Sequence, residues 1–522
     1  MTTQATEETS GARAQRFLTN VIWSWVGVVG AFFTGFFLSP YIIRKLGAER
    51  YGIWALAFAF IDYFSFFDFG FKSAIVNLIS GFRAQNQETS INETVNTAFF
   101  YFLGIASVFA ATTWALAGYL HYFFKIQPAH QAEFTVLVRT VGLGWAGALA
   151  LNVFSAGLEA FQQFKTINRI SVMSLVLRSG GCAIVLYFGL GLKTMGLVVM
   201  VSQFINFGLF FLMFRMTFRP LRITPSFVRK SSWTAMARYG VHAFVAQLGT
   251  MLQNQGPPMM VGHFLASAFV GYYTLPSRLL QYMVDLVTRI ASVAMPNAAE
   301  LFALGRRQQI AQMAIYLNRY SFAMFLPLAI FLGFFGRTLI RVWVGPEFAA
   351  QAAPVLLPFI LFTLFAVAAQ FNSVGILFGM AKHRVYSKAL IGEGLVNLGA
   401  MAVVLPRFGI VGAAWVVCST AILNRGLFTP FLLCQYLELN WAKFMASIYV
   451  KPALLGVPTA LLAYGLRSYG ITGRNWVELL ALLGILTAQY YVVYFFAGVG
   501  REHQMMIWSW VGGRMRALRL AA

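Results

Sequence analysis

Residues 38–80 read LSPYIIRKLGAERYGIWALAFAFIDYFSFFDFGFKSAIVNLIS. One apolar run ends in the charged turn RKLGAER, and another begins at Tyr51. A helix needs about 20 apolar residues to cross a bilayer, and the apolar stretches on both sides of this turn reach that length. The segment therefore reads as two membrane spans joined by a short loop. Worked outward, the same alternation gives about fourteen spans, beginning near Phe17, Tyr51, Glu93, Glu133, Asn168, Thr194, Trp233, Ala268, Ile310, Pro354, Val385, Gly409, Ile448 and Asn475.

Composition agrees. Of 522 residues, 59% are apolar and 11% charged, whereas a soluble domain carries roughly a quarter charged residues. Mean hydropathy is +0.70. The expected class is an all-α polytopic membrane protein, and intrinsic disorder is excluded because it requires low hydrophobicity. The net charge of +23 would suit nucleic acid in a soluble chain. Here the basic residues lie between apolar segments, in the positive-inside pattern, so no nucleic-acid partner is expected. Cys182, Cys418 and Cys434 all fall in apolar stretches without metal-ligand spacing, so neither disulfide nor metal is expected. The polar start, MTTQATEETSGARAQRF, precedes an apolar stretch too long for a signal-peptide core, and the first span reads as an uncleaved anchor.

Placing the N-terminus in the cytoplasm puts about 22 Lys and Arg on that side, about 10 on the other and about 7 within spans, a bias that favours cytoplasmic N- and C-termini. Arg44, Lys45 and Arg50 run against it and are expected to reach back toward headgroups along their aliphatic stems. The longest polar connection is RMTFRPLRITPSFVRK, Arg215 to Lys230. It separates two related halves. RKLGAERYGIWAL is echoed by GHFLASAFVGYYTL, FGLGLKTMG by FGIVG, and NFGLF at Asn206 by NRGLF at Asn424. An offset of about six spans preserves orientation, giving two parallel-related lobes, a known transporter plan with the substrate cavity between them. The expected organisation is a tail over 1–16, an N-lobe over 17–214, a basic linker over 215–232, a C-lobe over 233–436, two additional C-terminal spans over 437–500 and a basic tail over 501–522.

Ionisable residues at membrane depth are costly and commonly face a cavity or a partner. Span eight is the clearest case. At about 100° per residue, Arg278, Gln281, Asp285, Thr288, Arg289 and Ser292 fall within roughly 120° of one another. Asp285 and Arg289 stand at i,i+4 and can pair. A stripe lining a cavity and a stripe hydrogen-bonded to another helix both fit this pattern. Span two carries Asp62, Ser65, Asp68 and Lys72, with Asp68 and Lys72 again at i,i+4. Asp62 and Asp68 fit either proton coupling or structural pairing. Span five holds Arg178 near Ser171 and Ser174, and span eleven holds Glu393 with Tyr386 and Asn397 on one face. Span seven carries Arg238 and His242, then LQNQGPPMM. Pro257–Pro258 should break or kink the helix and free carbonyls, or mark its end. Arg139, Arg319 and Arg425 lie near span ends and should snorkel. No P-loop, H-E-x-x-H or G-x-S-x-G pattern occurs, and no long loop is present to house an active site, so the reading is not an enzyme, with no cofactor.

The stretch over 38–80, with its LG…YG turn (Leu46, Gly47, Tyr51, Gly52) and its D-x-G element (Asp68, Gly70), resembles the start of polysaccharide and O-antigen flippases of the multidrug/oligosaccharidyl-lipid/polysaccharide exporter superfamily. GLEAFQQFKTINRI, Gly157 to Ile170, is similar to the family's segment between spans four and five. The resemblance implies a flippase that moves a polyprenyl-diphosphate-linked oligosaccharide across the bacterial inner membrane by alternating access, alongside polysaccharide assembly proteins. It implies that Lys72, Arg178, Arg278 and Arg289, with Gln281, hold the anionic headgroup, and that Asp62, Asp68, Asp285 and Glu393 are candidates for ion or proton coupling. One departure is that span one (Asn20, Trp23, Ser24, Thr34) has no ionisable residue in its apolar part, unlike drug exporters that couple ions there. A multidrug or cation exporter of the same fold is the competing reading, and a polysaccharide polymerase or ligase a third.

Overall fold

The computed structural model describes residues 10–63, 71–500 and 504–505; the side chains of residues 10–29, 31, 239–247, 283 and 285–293 lie outside the description. Every regular element among the described residues is helical. That is the outcome expected when the chain must satisfy its own backbone in a bilayer, and the protein is an all-helical polytopic membrane protein. The elements are α1 (Ser10–Asp62), α2 (Phe71–Ala84), α3 (Glu88–Phe123), α4 (Gln131–Ala160), α5 (Phe164–Tyr187), α6 (Gly191–Thr217), α7 (Lys230–Phe264), α8 (Ser267–Ala303), α9 (Arg307–Trp343), α10 (Pro346–Leu361), α11 (Phe371–Gly379), α12 (Arg384–Ala421), α13 (Thr429–Leu437), α14 (Trp441–Ser468) and α15 (Trp476–Ala497). π-helical turns join α10 to α11 and α12 to α13. Nine helical stretches among the described residues are long and apolar enough to cross a membrane.

Two glycines divide long helices where the sequence changes span. Gly47 interrupts α1 at φ +82°, within the RKLGAER turn, and Gly409 interrupts α12 at φ +58°. Both need the left-handed region that glycine enters without steric cost.

The chain forms two compact units, Met1–Thr274 with Leu390–Gly409, and Leu275–Ala389 with Ile410–Ala522. In the first, α2, α3, α4 and α6 enclose a core that includes Phe71, Ile79, Val95, Phe102, Phe154 and Phe214. Residues 390–409 join this unit through α7. Leu390 fills the space over Gly249, Leu252 the space over Gly394, and Leu398 the space over Gly256. The order of these pairs makes the two helices run parallel. In the second unit, α9 packs against α10, α14 and α15. Its interior holds a polar chain in which Asn318 donates to Ser373, Ser373 to Gln370, Gln370 to Tyr449, and Asn372 to Ser321.

Two turns that the sequence equates also meet. Gly52 lies against Ser267 so closely that a Cβ there would overlap the Ser267 carbonyl. Gly271 faces Tyr51 in the same crossing.

The linker after α6 is ordered. Asn92 accepts from the Arg222 amide and donates to the Pro220 carbonyl; Asn96 donates to the Arg222 carbonyl and accepts from the Thr224 amide. Thr97 accepts from the Arg229 amide, and Glu93 pairs with the Arg229 side chain at 3.0 Å. Leu221 is buried inward while Arg222 points out, the alternation of a strand.

Candidate functional site

The candidate residues fall in both units, and each unit has its own geometry. In the second, Arg278 and Gln281 sit one turn apart on the exposed side of α8, whereas Leu275, Leu279 and Leu280 are buried on its other side. No described acidic side chain pairs with Arg278. The helix thus turns an apolar face to protein and a cationic, amide-bearing face outward. The continuation of the stripe, Asp285 and Arg289, lies outside the described side chains.

In the first unit, Lys72 on α2 forms an ion pair with Glu159 on α4 at 3.3 Å, both partly exposed. Spacing within span two could not reveal this cross-helix partner; Asp68, the partner expected from the sequence, lies outside the described residues. Arg178 is half-buried on α5. Glu393 is 5% exposed and Asn397 fully buried, one turn apart on α12, with Tyr386 buried two turns before.

The Pro257–Pro258 pair does not break α7. The helix continues through both prolines to Phe264, correcting the expected interruption. Each proline still withholds one N–H from the carbonyl four residues earlier, at Gln253 and Asn254, but neighbouring helices hold the segment. Gln253 donates to the Leu390 carbonyl of α12 at 3.2 Å, and Gln255 donates to the Asp62 carboxylate at the end of α1, also at 3.2 Å. Leu398 packs over Gly256. One stretch of α7 is thereby tied to α1 by Asp62 and to the helix that carries Glu393. The sequence reading gave neither glutamine a role.

The cations expected to snorkel have specific partners. Arg50 forks onto Glu133 through Nε at 3.0 Å and Nη2 at 3.1 Å. His130 lies 3.6 Å from both Glu49 and Glu133. Arg139 covers the Trp114 ring at 4.7 Å and donates to its carbonyl, and Arg425 covers Phe362 at 4.9 Å. Among the described residues no group of three or more His, Cys, Asp or Glu could hold a metal ion.

The described candidates thus comprise an exposed cation, Arg278, a half-buried one, Arg178, an ion-paired one, Lys72, and a buried carboxylate, Glu393. A family model described as polysaccharide biosynthesis protein matches residues 42–353. Among curated proteins, an uncharacterized membrane protein of Methanocaldococcus jannaschii is 24% identical over 179 residues, 34% of each chain; the chain thus spans about a third of the length of that relative. Among solved structures, the fold is similar to that of the lipid II flippase MurJ in an inward closed conformation (TM-score 0.72, 11% identity, 92% of this chain and 98% of that one). It is also similar to an inward-facing multidrug resistance MATE family transporter of the MOP superfamily (TM-score 0.66, 12% identity, 77% and 94%), and to the MATE multidrug transporter DinF-BH (TM-score 0.59, 16% identity, 83% and 98%).

Proposed function

The chain belongs to the polysaccharide biosynthesis protein family, and from that premise we propose that it is a flippase for a polyprenyl-diphosphate-linked oligosaccharide in the bacterial inner membrane. The two lobes, 17–214 and 233–436, rock about a central site while the lipid tail stays in the bilayer and the sugar and diphosphate cross. Both termini face the cytoplasm. Polysaccharide assembly proteins supply the substrate on one side and consume it on the other.

The observation that carries this reading is Arg278. A guanidinium on an apolar helix is costly against lipid, yet this one is exposed, shares its face with Gln281 and has no described acidic partner. A wet, anion-accepting chamber accounts for all three facts. A guanidinium also offers a planar fork of donors that matches diphosphate oxygens. Arg178, Arg289 and Lys72 add positive charge, while Asp62, Asp68, Asp285 and Glu393 are the groups through which an ion or proton gradient would act.

The test is Arg278→Ala assayed for surface polysaccharide at matched protein level. Loss of polymer is expected, and unchanged polymer overturns the role of this residue. The buried Glu393 favours the second reading, a cation or drug exporter. Heightened drug sensitivity of a deletion strain with normal surface polysaccharide would select it.

A further inference from the structure

The connection from α6 to α7, RMTFRPLRITPSFVRK over Arg215 to Lys230, carries five basic residues and no acidic one. Arg215, Arg219 and Arg222 are all exposed, and no described acidic side chain pairs with any of them. Two carboxylates at this end of the first unit are already matched, Glu93 by Arg229 and Glu159 by Lys72. Arg83 adds a further cation. It covers Phe161 at 4.7 Å, and Phe161 packs on Phe218 of the connection at 5.8 Å. Against these stands Glu88, exposed in the first turn of α3.

The bonds that hold the connection fix its depth. Asn92, Asn96 and Thr97 bind its backbone, and all three lie in the polar opening of α3, ETSINETVNT over 88–97. The apolar run begins at the next residue and continues from Ala98 to Leu120. At 1.5 Å per residue that run is about 34 Å long, close to the roughly 30 Å of a bilayer's hydrocarbon. Asn96 and Thr97 therefore stand at the edge of the hydrocarbon, and the backbone tied to them runs through the headgroup layer. Leu221 is buried against the protein while Arg222 points away from it.

The helix that feeds the connection shows which side meets lipid. On α6, Val201, Ile205, Leu212 and Met216 are exposed. At 100° per residue they share one face, the apolar face a span gives to lipid. Arg215 falls within that same face, at its end, and Arg219 follows just beyond the helix. The uncompensated arginines thus continue a lipid-facing stripe into the layer where phosphates lie.

We propose that the connection is a docking surface for the anionic phospholipid headgroups of the leaflet it borders, with Arg215, Arg219 and Arg222 facing the phosphates. With both termini in the cytoplasm this is the cytoplasmic leaflet, whose surface is negative. The inference depends on the fold and not on what is transported. It gives the ordered backbone a purpose: fastening the connection to α3 keeps its arginines at headgroup level at little further entropic cost.

The test is hydrogen exchange of the full chain in lipid nanodiscs, read over residues 221–227. Exchange should be at least about fivefold slower in discs containing phosphatidylglycerol than in phosphatidylcholine alone, the contribution of one arginine near an anionic surface. About 0.5 M salt should remove the difference by screening. The double variant Arg219→Gln/Arg222→Gln should lose the lipid dependence yet exchange like wild type in phosphatidylcholine, because Asn92 and Asn96 hold backbone groups; Arg222→Gln alone serves if the double variant does not fold. Equal exchange of wild type in the two kinds of disc overturns the proposal and leaves an acidic protein as the partner such a surface fits. Undiminished slowing in the double variant also overturns it. Inorganic diphosphate that reproduces the slowing in phosphatidylcholine discs would overturn the membrane as occupant; no effect of diphosphate supports it.

Discussion

Asn92 and Asn96, one turn apart on α3, take the amide and the carbonyl of the same residue, Arg222, at 2.9 and 2.7 Å. With their second bonds to Pro220 and Thr224, the two side chains do for the linker what a neighbouring strand would do. The connection after α6 is therefore a strap fastened to the first unit, with Thr97 and Glu93 holding its end at Arg229.

The strap predicts a local effect. Asn96→Ala leaves two backbone groups of the linker without partners and should cost about 2 kcal/mol. Hydrogen exchange at the Thr224 amide, which donates to Asn96, should accelerate while α4 and α6 stay protected. Unchanged exchange at the linker would show that the asparagine does not hold it.

A second prediction concerns Arg50 and Glu133. Their forked pair, with side chains 37% and 20% exposed, joins the segment after the Gly47 break to the start of α4. Partial exposure limits its coupling to about 1 kcal/mol. Arg50→Ala and Glu133→Ala should each lower the melting temperature, and the double variant should lose less than the sum of the two. Strict additivity would mean that the contact is not energetically coupled.

The third separates Lys72 from Arg278, which the sequence put in one group. Glu159 holds Lys72, so Lys72→Met and Glu159→Gln should give similar, modest losses of transport and stability. Arg278→Gln has no described ion pair to break. It should leave stability within about 0.5 kcal/mol of wild type, as surface substitutions do, while transport falls by at least about tenfold, one charge-assisted interaction. Equal stability losses at Lys72 and Arg278 would reject the distinction.

The sequence signalled elements more readily than partners. Span starts at Tyr51 and Gly409 were legible because apolar length and glycine punctuation are local properties, and Gly47 and Gly409 do interrupt their helices. Arg278 was legible because one charge in an apolar run stands out. The partner of Lys72 was not, since Glu159 is far along the chain, on another helix, and nothing in the spacing of span two points to it. Asn92 and Asn96 were hidden for a related reason: in INETVNT they look like the polar start of a helix, and only the returning linker gives them a task. Pro257–Pro258 misled because proline predicts a lost hydrogen bond but not the helices packed alongside, which keep α7 continuous.

The last prediction follows from the parallel packing of α7 and α12. Leu390, Gly394 and Leu398 on α12 alternate with Gly249, Leu252 and Gly256 on α7, and a Cβ at Gly394 would sit 2.7 Å from that of Leu252. Gly394→Ala must separate the helices or force Leu252 off its rotamer, an overpacking cost of about 1–3 kcal/mol. The same shift would pull Leu390 from the Gln253 amide and carry the adjacent Glu393 with it. Gly394→Ala should therefore lower both stability and transport. Leu252→Ala in the same chain should restore much of both by reopening the space, since residues in contact couple. Failure of the second change to rescue the first would mean that Gly394 is required for something other than this close approach. Gly399, where an added Cβ would meet nothing within 4 Å, is the matched control and should accept alanine with little change.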